Sequence, residues 1–206
     1  MNRKNGFNLL GVLALLVVLG AALAAAGCTS GSNGTATTPA PTAAGTAGVT
    51  AAGTAGPAGP AVGYDRLMPF LPKTAGPWTL DGEGEGMTLK DNEGRDYTFA
   101  TGDYAKAGDE KAGGTIVITD NGMAVSPLKQ QWSSFTQLDS TEMSIKRATA
   151  DGQPAWRIEQ KKANEHSMMV LAGDRFLVHV QVGDATPADL DALVDAIDFA
   201  GLAALK

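Results

Sequence analysis

The sequence predicts an α+β fold: a mostly antiparallel, twisted sheet carrying one helix in mid-chain and one at the C-terminus. Three observations point to it. Residues 142–182 contain four β-prone runs separated by short, reversal-forming segments. Ser126-Pro127 and Thr186-Pro187 each set a capping hydroxyl before a proline, which starts a helix because proline needs no N–H in the first turn. The apolar residues that follow each pair recur at helical spacing.

In the first half of the folded region, strands are expected near residues 79–80, 88–90, 97–104 and 115–119, with Gly and Asp between them. Asn121-Gly122 ends the last of these. After Ser126-Pro127, the residues Leu128, Trp132, Phe135 and Leu138 share one face of a helix of about three turns. Upstream, the prolines of LMPFLP (67–72) argue against regular structure, and its apolar residues staple the start of the domain to the sheet.

The second half is expected to form strands over 142–149, 154–162, 167–172 and 175–182. Asp151-Gly152 and Gly173-Asp174 read as two-residue hairpin turns, because these residue types tolerate positive φ. His166 is expected in the turn 164–166. In the last strand Phe176, Val178, Val180 and Val182 alternate with Leu177, His179 and Gln181, so the two sets face opposite sides. Thr186 with Asp189 then fits a capping box, and Leu190, Leu193, Val194 and Ile197 form the buried stripe of the closing helix.

The region before this domain has a different character. Arg3 and Lys4 precede an uncharged run over 7–27, long enough to cross a bilayer, which needs ~20 apolar residues. Small residues, Ala24 to Gly27, gather at its end, as in a cleavable secretory signal. Positive residues ahead of the run place the rest of the chain outside the cytoplasm, whether the run spans or is removed. Residues 29–63 carry no charge and consist almost wholly of Thr, Ala, Gly, Pro and Ser. With no large apolar groups to bury, they are expected to be a disordered linker of roughly 30–35 Å reach. The division is therefore a signal peptide (1–27), Cys28 with a linker (28–63), and one α+β domain (64–206).

Cys28 is the only cysteine, so no intramolecular disulfide is available. Ala25-Ala26-Gly27-Cys28 resembles the lipobox of prokaryotic lipoproteins, although Ala25 stands where Leu is commonest and Leu23 lies two residues earlier. The resemblance implies cleavage before Cys28 and lipidation of its sulfur with acyl chains such as palmitate. Two chains suffice to hold a protein on a membrane where one does so only marginally. The implied location is the cell membrane, lipid-anchored, facing the periplasm or cell surface. The meander ending in GDRFLVHVQV and the helix ADLDALVDAID resemble the PsbP-like domains of small exported lipoproteins, including the DcrB and LpqN types. Most members of that group have no assigned catalytic activity.

All 22 acidic residues and 14 of the 16 basic ones lie in 64–206, a net charge of −8. Such a balance argues against a nucleic-acid or anionic-lipid partner. Asp81, Glu83, Glu85 and Asp91, on a Gly-rich stretch, are candidate oxygen ligands for a hard cation such as Ca²⁺. The stretch does not follow the EF-hand pattern, and the expected reading is a solvated turn between strands whose glycines allow tight reversal. Asn33-Gly34-Thr35 matches the N-glycosylation acceptor pattern. His166 and His179, the only histidines, fall short of a zinc ligand set. Trp78, Trp132, Trp156, Tyr97 and Phe99 suit either a core or a ligand groove. The sequence has no phosphate-binding Gly loop, GxSxG elbow or CxxC pair. The expectation is a non-enzymatic binding or scaffold domain without a cofactor. A hydrolase or metal-dependent enzyme and a carrier of an apolar ligand are the alternatives.

Overall fold

A computed structural model describes residues 60–90, 92, 94, 96–120 and 137–205. The signal run, Cys28, Asn33, nearly all of the linker, Asp91 and the Leu128–Trp132–Phe135 stripe lie outside these residues. No helix among the described residues is long and apolar enough to cross a membrane.

Ten strands among the described residues form one sheet. They are β1 (Thr74–Ala75), β2 (Trp78–Leu80), β3 (Glu85–Lys90), β4 (Asp96–Lys106), β5 (Asp109–Asp120), β6 (Gln137–Asp139), β7 (Met143–Ala150), β8 (Gln153–Gln160), β9 (Glu165–Ala172) and β10 (Phe176–Gly183). The order across the sheet is β1-β2-β4-β5-β10-β9-β8-β7-β6, with β3 beside β4, and the pairings are antiparallel. β4 and β5 form a long hairpin that pairs Thr98 with Asp120 at one end and Lys106 with Asp109 at the other. β5 then pairs with β10, which brings the two halves of the chain together in mid-sheet.

The described helices are α1 (Tyr64–Leu67), followed by a 3₁₀ turn at Met68–Phe70, then α2 (Pro187–Asp195) and α3 (Phe199–Ala203). Segment 67–72 is thus more regular than its prolines suggest, because Pro69 occupies the first turn of the 3₁₀ helix, where no N–H is needed. The stapling role holds: Leu67 and Leu71 are buried in the core. So is Val62, two residues before the Tyr64 boundary read from composition.

α2 begins as expected. The Asp189 N–H donates to Thr186 Oγ1 and the Asp189 carboxylate accepts from the Thr186 N–H, completing the capping box. The helix is shorter than the apolar stripe implies, for it ends at Asp195 and Ile197 is buried in the connection beyond it. Asp198 then caps α3 by accepting from the Gly201 N–H at 2.7 Å.

The main core lies between the helices and one sheet face. Leu190, Leu193, Val194, Phe199 and Leu202 pack with Phe176, Val178, Val180 and Val182, confirming the alternation expected for β10. A Cβ at Gly114 would meet Leu193 Cδ1 at 2.8 Å, so a larger residue there would force the buried Leu193 side chain to shift.

Three further expectations are corrected. Leu138 belongs to β6, paired with Ile145 and exposed, so a helix does not extend to it. His166 is inside β9, opposite Val182, because the β8–β9 reversal is completed at Asn164, whose φ is +49°. The β9–β10 turn has three residues, Gly173 to Arg175, since Ala172 pairs with Phe176. The turn at Asp151-Gly152 is the expected two-residue kind, with φ of +47° and +74°.

Candidate functional site

The sheet face away from the helices is the chief candidate site. Strand alternation places Leu177, His179 and Gln181 of β10 on it, with Leu171, Met169 and Ser167 opposite them on β9. β8 contributes Trp156 and Ile158, and β7 contributes Ile145. Val117 and Thr115 of β5 face His179 and Gln181. Trp156, Ile158 and Met169 form a second apolar cluster here, joined by Met143, Ile145 and Leu177. Arg147 lies over the Trp156 ring at 5.9 Å.

The face is divided along the strand direction. Toward one end it is apolar; toward the other it carries Gln160, Glu165, Ser167, Gln181, Thr115 and Asp103. Glu165 accepts from Gln160 Nε2 at 2.7 Å, and Thr115 Oγ1 donates to Asp103 at 2.9 Å. Burial raises the Glu165 carboxyl, against the opposing effect of amide donors from Gln181 and Gln160. His179 stands between the two regions. Its Nε2 is inaccessible and has no hydrogen-bond partner among the described residues. Burial depresses the imidazole to about 4, so the ring is neutral at ordinary pH.

The other charged groups with deep contacts serve the fold. Asp189 is buried, which alone would raise its carboxyl, but Thr186 and the Lys106 ammonium at 2.9 Å outweigh this and hold it at about 2. The Trp78 indole donates to the Asp189 carbonyl at 3.2 Å. Trp78 is therefore a core residue, on the side opposite Trp156. Asp120, wholly buried, is held by Arg175, and Arg157 on β8 pairs with Asp191 of α2. A cavity of about 380 Å³ lies between residues 60–63, Arg66, Arg175 and Leu205. It follows the seam where the start of the domain meets the sheet. The Tyr104 hydroxyl, in the main core, lacks a partner among the described residues, and burial pushes its phenol well above the ordinary range.

Asp81 and Glu83 are exposed on the reversal between β2 and β3, where Gly82 and Gly84 take positive φ, and Glu85 opens β3. Among the described residues no group of three or more His, Cys, Asp or Glu converges as metal ligands would. Cys28, Asn33 and Asp91 lie outside those residues. His166 and His179 occupy opposite faces, being separated by an odd number of strand positions through the β9–β10 register.

The sequence pattern places His179 and Gln181 together but misses Ser167, Glu165 and Gln160 as their neighbours. Register across β8, β9 and β10 could have supplied them, once the turn lengths were fixed. Compared with family models, with curated proteins and with solved structures, the chain matches none.

Proposed function

We propose that this is a membrane-anchored extracytoplasmic lipoprotein whose folded domain is a non-enzymatic binding or scaffold module. The observation that carries the reading is the position of the single cysteine. Cys28 ends an uncharged run closed by small residues and opens a charge-free segment reaching to residue 63. A thiol at that point is the nucleophile that lipid transfer needs. The contacts of Pro60 and Val62 support it, since Arg175 donates to the Pro60 carbonyl and the Val62 N–H donates to Asp120, so the chain is held to the sheet close to residue 63.

For the domain, a binding role is supported by β3. Among the described residues this strand pairs only with β4, and it presents Met87 and Leu89 at 37% and 51% exposure. An edge strand with exposed apolar residues offers backbone groups and side-chain contacts to an extended partner segment. The PsbP-like resemblance belongs to the same reading, supported by the meander of β7 to β10 followed by α2.

Mass spectrometry of the mature N-terminus is the test. The expected result is a chain starting at Cys28 with a diacylglyceryl thioether, abolished by Cys28→Ser. An intact Met1, or cleavage elsewhere, would sink the anchoring proposal.

A further inference from the structure

Among the described residues the exposed large apolar side chains are Tyr64, Met87, Leu89 and Leu138. Three of these four gather at β3. Met87 and Leu89 lie two positions apart on the strand, so both project from the helix-free face of the sheet. Tyr64 of α1 lies against the opposite face, where a Cβ at Gly86 would meet its Cδ2 at 2.5 Å. The strand therefore has open apolar surface on both of its sides.

Its edge is also unguarded. β3 has six residues, whereas the edge strands β1 and β6 have two and three. Short edges resist pairing, while a long one presents a row of backbone N–H and C=O groups. Lysine often blocks such an edge, but Lys90 is bonded across to Asp96 at 2.6 Å and to the Gly94 carbonyl. No proline interrupts residues 85–90.

The charges indicate what pairs there. Asp81, Glu83 and Glu85 are exposed where the chain enters β3, and Asp65 is exposed beside Tyr64. Two copies of this acidic domain would bring like charges together at this edge, which disfavours self-pairing.

We propose that β3 takes up an extended, basic segment of another protein as an added strand. The proposal rests on the reading of the domain as a binding module and is independent of the lipid anchor. Apolar residues at alternate positions of the segment pack on Met87 and Leu89 on one face, and the intervening ones face Tyr64. Lys or Arg at the end beside Glu83 and Glu85 meets the carboxylates.

Hydrogen–deuterium exchange of the full chain tests this, with a synthetic peptide of alternating valine and threonine flanked by lysines as the probe. The same peptide flanked by glutamates is the control. The lysine peptide is expected to slow exchange across 85–90 and to bind roughly tenfold more tightly than the control, a preference that added salt erases. Leu89→Lys, at an exposed position, should remove the protection and leave the urea midpoint unmoved. Equal or tighter binding of the glutamate peptide at 85–90 would overturn the basic partner while leaving β3 a binding edge. If neither peptide protects 85–90, the proposal fails, and the support that β3 gives to a binding role fails with it. Protection that grows with chain concentration in the absence of peptide would show a second copy on the edge and overturn the proposal.

Discussion

Asp120 and Arg175 form a two-pronged ion pair at the junction of β5 and the β9–β10 turn: Nε donates to Oδ1 at 3.0 Å and Nη2 to Oδ2 at 2.7 Å. Asp120 is wholly buried, and its Oδ2 also accepts from the Val62 N–H at 2.8 Å. Arg175 donates in addition to the Pro60 carbonyl. One pair thus fastens residues 60–62 to the sheet.

Removing one partner leaves a buried charge without its counter-ion, which typically costs about 3–5 kcal/mol. Arg175→Met is therefore expected to destabilise the domain by roughly 3 kcal/mol in urea unfolding. It should also open the 60–63 segment to limited proteolysis. Asp120→Asn with Arg175→Met together should cost less than the sum of the single changes. Additivity in that double-mutant cycle would show that the two residues are not energetically coupled.

His179 sets an acid limit on stability. Its folded-state imidazole sits at about 4, below the ordinary 6.5, so the unfolded chain binds more protons between those values. Stability from this group is full above about pH 6.5 and declines as pH falls toward 4, by about 3 kcal/mol at pH 4. The flanking side chains across the ladder, Val117 and Met169, offer the imidazolium no counter-charge. His179→Gln should flatten the unfolding free energy across this window. An unchanged slope between pH 6.5 and 4 in that variant would contradict the assignment.

The Asp81–Glu85 reversal is expected to behave as a solvated turn. Millimolar Ca²⁺ should leave the thermal midpoint unmoved. Binding at a hundredfold excess over Kd would add ~2.7 kcal/mol, or several degrees for a domain of this size. A rise that vanishes with Glu83→Gln and Glu85→Gln together would identify a cation site there.

Much of the second half of the fold was legible in the residues themselves. The alternation of Phe176, Val178, Val180 and Val182 with Leu177, His179 and Gln181 requires a strand with two distinct faces. Asp151-Gly152 requires a tight hairpin, and Thr186 with Asp189 starts α2 where the capping box sits. These features depend on contacts within a few residues, so local sequence is sufficient for them. Leu138 was misread because its spacing from Phe135 suits a helix, whereas its pairing with Ile145 is a contact to β7. The same holds for Ile197, which is buried by packing although α2 has already ended.

By itself, then, the sequence determined an antiparallel β meander, its reversals, the start of α2 and which residues of β10 face the core, because period and turn chemistry are local. The tertiary structure alone decided that β5 lies beside β10, that Asp120 meets Arg175, and that His179 stands between an apolar and a polar half-face. Those relationships join residues 55 positions apart for the ion pair and 58 to 70 apart for β5 with β10. They arise when two hairpins share one sheet and one set of helices, and no spacing along the chain encodes which strands become neighbours.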